Sequence, residues 1–227
     1  MIINQSVGFA FIHIPKSAGT SVTEFLSPLN GPLDLEIGGT AFGESIQPAY
    51  WRRHRLRKHS TLAEAQHVIE MARPEYPMFT FTFVRNPFER LASIFSFLRK
   101  WEDCDPELLQ MMRGFTDFEE FVASGIFTSI PGPDSMFKPQ VSWIKLDGRT
   151  AAHVHLFQIE EVDSALSVIR EKLLSRGGPA DNLPNSFPHS NRSQSDVRGD
   201  LELPRSLVKM ILDFYAEDFH AFGYHHR

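Results

Sequence analysis

His13-Ile14-Pro15-Lys16-Ser17-Ala18-Gly19-Thr20-Ser21 decides how this chain is read. The apolar run Val7–Ile12 precedes it and Val22-Thr23-Glu24-Phe25-Leu26 follows it. The order is strand, short turn, helix. Backbone N–H groups and the helix dipole favour an anion at such a junction. Gly19 lets a backbone approach closely, Thr20 and Ser21 offer hydroxyls, and Lys16 adds a full positive charge. The stretch is not G-x-x-x-x-G-K-[ST], because its Lys precedes its Gly. On local features alone it reads equally well as a capped turn with an exposed Lys.

Outward from this loop, residues 7–14 predict a buried strand ended by Pro15, and 20–27 a helix capped by Thr20 or Ser21. Residues 28–50 hold four Gly and three Pro and read as mostly irregular. Residues 60–72 predict a helix capped by Ser60 or Thr61 with Glu64 behind. "MFTFTFV" (78–84) predicts a second strand. Residues 87–100 predict a helix capped by Asn86, with Phe88, Leu91, Ala92, Phe95 and Leu98 as its apolar stripe. Shorter helices are expected at 106–113 and 116–124, and a third strand at 154–157. A helix over 160–175 buries Val162, Ala165, Leu166, Ile169 and Leu173 and stops at Gly177-Gly178-Pro179. A long loop then runs to about Leu203, and a final helix from about Pro204 to Asp218. Alternating strands and helices predict one α/β domain over 1–227, with a mainly parallel sheet flanked by helices and the phosphate-type loop after its first strand.

"FTFVRNPFERLASIF" (81–95) repeats the strand–cation–helix arrangement. Arg85 sits just ahead of a helix N-terminus and Ser93 lies two turns in, so the two could grip a phosphate. Arg85 reads alternatively as a salt-bridge partner and Ser93 as a helix-face residue.

The pair "IPKSAGTS" (14–21) and "VRNPFERLASIF" (84–95) resembles the two signature motifs of the sulfotransferase superfamily, nearest to its carbohydrate (Golgi-type) branch and small bacterial relatives. "RKHSTLAEA" (57–65) resembles the family's Lys-His-x-Thr segment, and "KPQVSWI" (138–144) its Pro-Gln segment. "LPNSFPHSNRS" (183–193) resembles its late loop, and "ILDFYAEDFHAFGY" (211–224) its closing helix. The resemblance implies the donor 3′-phosphoadenosine 5′-phosphosulfate (PAPS). It assigns the 5′-phosphosulfate to Lys16, Ser17, Ala18, Gly19, Thr20 and Ser21, and the 3′-phosphate to Arg85 and Ser93. Asn191, Arg192 and Ser193 would close over the nucleotide.

Sulfuryl transfer to a hydroxyl calls for a general base, and His is the natural choice. Of ten histidines, His59 follows a basic segment, precedes a capped helix and matches the Lys-His-x-Thr position. Lys16 and His59 are therefore the expected catalytic pair. His189, Glu24 and Asp34 are lesser options for the base, and His13 reads as a satisfied structural group. Arg52, Arg53, Arg55, Arg57 and Lys58 put five cations in positions 51–58, either a solvated face or a surface for an anionic ligand. Arg55, Arg57 and Gln140 are expected to contact the acceptor, a glycan or small molecule. Phe137, Trp143 and Trp51 could stack on a sugar, or be core.

Composition narrows the alternatives. The net charge of −5 argues against nucleic-acid binding. Neither H-E-x-x-H nor paired CxxC occurs, so no metal is expected. Cys104 is alone, and no apolar run reaches the ~18 residues of a membrane span. With no signal-peptide pattern, these features lead to the expectation of a cytoplasmic, bacterial-type protein. Two other readings compete. A P-loop nucleotide kinase or NTPase lacks support, since the chain has no Gly-Lys dipeptide. The other is an inactive PAPS- or glycan-binding relative.

Overall fold

The computed structural model describes residues 1–72, 77–102, 105–129, 135–179, 182–184, 186–187 and 203–225. In chain order the strands are β1 (Ile2–Asn4), β2 (Phe9–Ile12), β3 (Leu35–Glu36), β4 (Phe79–Val84), β5 (Lys145–Leu146), β6 (Arg149–Thr150) and β7 (His155–Gln158). The helices are α1 (Gly19–Leu26), α2 (Ala41–His54), α3 (Leu62–Met71), α4 (Pro87–Leu98), α5 (Pro106–Gly114), α6 (Phe118–Ala123), α7 (Ile126–Ser129), α8 (Val162–Leu174), α9 (Arg205–Phe214) and α10 (Ala216–Phe222). The chain divides into a first unit, 1–84 with 140–192, and a second, 85–139 with 193–227.

The first unit carries a five-stranded sheet of order β3-β1-β2-β4-β7. Its parallel centre is β2–β4–β7, with Phe11 opposite Phe81 and Phe81 opposite His155. Thr82 Oγ1 donates to the Ile12 carbonyl at 2.7 Å across β2 and β4. All six residues of β4 are buried, as expected for a strand covered on both faces. The sheet is mixed rather than mainly parallel, because β1 runs antiparallel to both β2 and β3. Residues 2–4 turn through 5–8 straight into β2, and a connection that short forces antiparallel pairing. The loop at 15–18 therefore follows the second strand, not the first.

Phe9, Phe11, Phe79, Phe81 and Phe83 share one sheet face by their alternation. They form one core with Val22, Phe25 and Leu26 of α1 and Ala165, Leu166, Ile169 and Leu173 of α8. The stretch 28–50, expected to be mostly irregular, instead holds most of α2, which forms over Ala41–His54 despite the internal Pro48. Thr40 caps it by accepting from the Gly43 N–H. Thr61 and Glu64 cap α3 reciprocally, as the sequence predicts. The Ser/Thr cap expected for α1 is not formed. Its N-cap is Ala18, in a left-handed conformation and with no side-chain hydrogen bond.

In the second unit, Asn86 accepts from the Phe88 N–H to start α4, and Phe88, Leu91, Ala92, Phe95 and Leu98 are all buried. They join Phe118, Phe121, Phe127, Phe137 and Tyr215 in a second core. The predicted final helix is two helices, α9 and α10, joined at Tyr215. Arg90, 1% exposed, donates to the carbonyls of Lys138 (3.1 Å) and Met136 (2.6 Å). Tyr215 donates to the Phe137 carbonyl at 2.7 Å. Burial lowers the Arg90 pKa while Tyr215 and the buried Asp218 raise it. Guanidinium and phenol thus hold segment 136–138, with the buried Asp218 carboxylate favouring the charged guanidinium, and nothing in the sequence pattern announces this.

Candidate active site

Lys16 (φ 64°) and Ala18 (φ 56°) both adopt left-handed backbone. Such conformations cost non-glycine residues ~1–3 kcal/mol each and gather at functional sites. Alternating left- and right-handed residues turn successive N–H groups inward as an anion-binding nest. Gly19 opens α1 directly over the His13 ring, where a Cβ would lie 2.0 Å from Cδ2 and Nε2. Here glycine is required by close approach. Lys16 and Thr20 are half-buried, and Ser17, Gly19 and Ser21 are buried.

Ser17 Oγ donates to Gln140 Oε1 at 3.0 Å, and both residues are buried. Gln140 is 0% exposed, so the expected acceptor contact is corrected: its side chain braces the loop from below. Gln140 opens the 3₁₀ turn Gln140–Trp143, and the last residue of that turn reaches His59. The Trp143 Nε1–H donates to the His59 carbonyl at 2.9 Å. One buried turn thereby holds both the loop and the histidine. Trp143 and Phe137 are core, 1% and 3% exposed, not sugar-stacking surfaces.

His59 is exposed, and its Nδ1 lies 2.8 Å from the His13 carbonyl. A carbonyl only accepts, so Nδ1 carries the hydrogen and Nε2 keeps its lone pair. Desolvation by the surrounding protein pushes the imidazolium pKa down to about 3. The His13 hydrogen bond and Glu44 oppose this, and Lys58 and the Met1 amine reinforce it. The open side of the residue keeps part of its hydration, which offsets some of the desolvation. The ring is neutral at pH 7.

His13 stands edge-on to His59, with ring centroids 4.5 Å apart, and stacks on Phe11 at 5.7 Å. It is 3% exposed, yet its Nδ1 has no hydrogen-bond partner. It is structural, but not satisfied as expected. Burial holds its pKa well below the ordinary value, with His59, the Met1 amine, Lys58 and Lys16 adding to the effect. Asp34 accepts from the N–H groups of Gln5, Ser6 and Gly31, which marks it as a loop staple rather than a base.

In the second unit, Arg85 Nη2 meets Glu89 Oε2 at 3.4 Å, the salt-bridge alternative in partial form. Ser93 is 2% exposed. Asn191, Arg192, Ser193 and His189 lie outside the described residues, as does Cys104.

The family model described as "Sulfotransferase family" matches residues 1–225. The chain belongs to the sulfotransferase family. Sulfotransfer to a hydroxyl-bearing acceptor is thus its class of reaction, and the family generally uses PAPS. The nucleotide-kinase alternative falls with this match. No curated protein and no solved structure matches the chain significantly. Among the described residues no three His, Cys, Asp or Glu gather as metal ligands, and no helix is long and apolar enough to cross a membrane.

Proposed function

We propose that this sulfotransferase moves a sulfuryl group from PAPS to a carbohydrate hydroxyl, with His59 as general base and Lys16 beside the leaving group. The observation that carries the reading is the His59 hydrogen bond to the His13 carbonyl, which puts the hydrogen on Nδ1 and leaves Nε2 with its lone pair. That carbonyl lies three residues before Lys16, so base and loop share one strand end. The left-handed backbone at Lys16 and Ala18 and the close approach at Gly19 suit a phosphate-bearing ligand.

Bound PAPS supplies an activated sulfuryl group with adenosine 3′,5′-bisphosphate as leaving group. His59 Nε2 takes the acceptor proton as the acceptor oxygen bonds to sulfur. Lys16 and the amides of residues 17–21 stabilise charge on the 5′-phosphate as its bond to sulfur breaks. Thr20 and Ser21 add hydroxyl contacts. On the resemblance, Arg85 and Ser93 hold the 3′-phosphate, with Asn191, Arg192 and Ser193 assisting, while Arg55 and Arg57 serve the acceptor. A cytoplasmic setting belongs to the same reading.

A thermal-shift series with a transfer assay tests it. Adenosine 3′,5′-bisphosphate should stabilise the chain and ATP–Mg²⁺ should not. PAPS should be converted only when a hydroxyl acceptor is present. Stabilisation without turnover on any acceptor would support the inactive, ligand-binding alternative instead.

A further inference from the structure

The His13 imidazole packs against both the loop and His59. It is 3% exposed and closed in from two directions. It stacks on Phe11 with centroids 5.7 Å apart, and a Cβ on Gly19 would lie 2.0 Å from its Cδ2 and Nε2. From a third direction it meets the His59 ring, with centroids 4.5 Å apart and planes at 79°. A ring held between Phe11 and the first residue of α1 cannot move aside without displacing one of them.

His59 has more freedom to lose. It is exposed, and its ring is tied by the 2.8 Å hydrogen bond from Nδ1 to the His13 carbonyl. The bond from Trp143 holds the His59 carbonyl, not the ring. A hydrogen bond at Nδ1 fixes where that atom lies, but the plane can still swing about it, since the second side-chain torsion of His is broad. A general base needs its lone pair aimed to within about 10–20°. The contact at 79° supplies that restraint, because a swing of the His59 plane meets the clamped His13 ring on one side and opens a gap on the other.

Packing alone does not call for a histidine at position 13. Its Nδ1 is buried with no hydrogen-bond partner, a cost that an apolar side chain would not carry. Imidazole is, however, the smallest flat aromatic side chain. It fits under Gly19 and still presents a rigid ring to His59.

We propose that the His13 side chain is a positioning residue, which fixes the plane of the His59 imidazole so that the Nε2 lone pair meets the acceptor hydroxyl. This rests on His59 being the base.

The test is a double-mutant cycle of His13→Ala with His59→Ala. It reads kcat, adenosine 3′,5′-bisphosphate affinity and, where His59 is present, the ring-nitrogen NMR shifts of His59. With His59 present, His13→Ala should lower kcat at least about tenfold and leave nucleotide affinity within about threefold. His59 should hold the Nδ1–H tautomer in wild type and average both tautomers in His13→Ala. In the His59→Ala background, His13→Ala should change the residual rate by less than about twofold. His13→Leu refills the volume without a flat ring, and should repeat the loss of kcat if the alanine variant folds poorly. An equal loss of kcat in both backgrounds would make His13 structural only and overturn the proposal, as would an unchanged His59 tautomer in His13→Ala. Wild-type turnover in His59→Ala alone would instead overturn His59 as the base, and the tautomer measurement would still decide whether His13 fixes the ring.

Discussion

His59 is fixed at both ends, by the His13 carbonyl on Nδ1 and by Trp143 Nε1 on its own carbonyl. Its depressed pKa has a kinetic consequence. The family position alone suggests an acidic limb near the ordinary His pKa of ~6.5. Desolvation moves the free enzyme's limb lower, and the negative charge of a bound phosphosulfate donor moves it back up. The pH profile of kcat/KM for the donor, which reports the free enzyme, should therefore break at lower pH than that of kcat. Coincident limbs near 6.5 would mean that the ring is neither desolvated nor next to the donor. Gly19 gives a second test at this scale. Gly19→Ala drives a methyl into the His13 ring and should cost ~1–3 kcal/mol with loss of donor binding. Replacing His13 by Ala in the same chain clears that space, so the double variant should bind donor better than Gly19→Ala alone. Strict additivity in that cycle would show that the ring is not what excludes the methyl.

The turn Gln140–Trp143 is the element that makes one site of two motifs, through Ser17 at one end and His59 at the other. Trp143→Phe keeps most of the packing but leaves the His59 carbonyl without its donor, at ~1–3 kcal/mol. The expected result is a lower melting temperature and a larger fall in kcat than in donor affinity. An unchanged kcat would remove the turn from any role in positioning His59. This brace was not legible in the sequence, because Ser17 and Gln140 are 123 residues apart and no periodicity links them. Legible elements were those with long, uniform patterns. β4 is a six-residue apolar and β-branched run, and α4 has both a cap and a regular stripe. β1 and β3, three and two residues long, are too short to show alternation, and without β1 the sheet reads as mainly parallel. α2 was hidden by Pro48 and Gly43 and by a face with almost no buried residue.

Across the whole molecule, the residues in the opening loop and His59 were readable from type and order, while their support was not, since it depends on which groups are buried together. His13 shows the cost of that arrangement. Unfolded, it takes a proton near pH 6.5; folded, burial holds its pKa well below that value. The unfolded state therefore binds more protons below pH ~6.5, and stability falls with pH there, by up to ~1.4 kcal/mol per pH unit from this group. Melting temperature should drop between pH 7 and 5, and less steeply in His13→Phe than in wild type. Equal slopes would mean that His13 titrates alike in both states. The central claim is that His59 takes the acceptor proton while the loop at 15–21 holds the donor. It is tested most directly by turnover of PAPS with an accepted hydroxyl substrate in wild type and His59→Ala, alongside the adenosine 3′,5′-bisphosphate affinity of each. The account predicts a kcat lower by ~10²–10⁴-fold with nucleotide affinity near wild type. A variant that keeps most of its turnover, or loses nucleotide affinity in step with it, would contradict the claim.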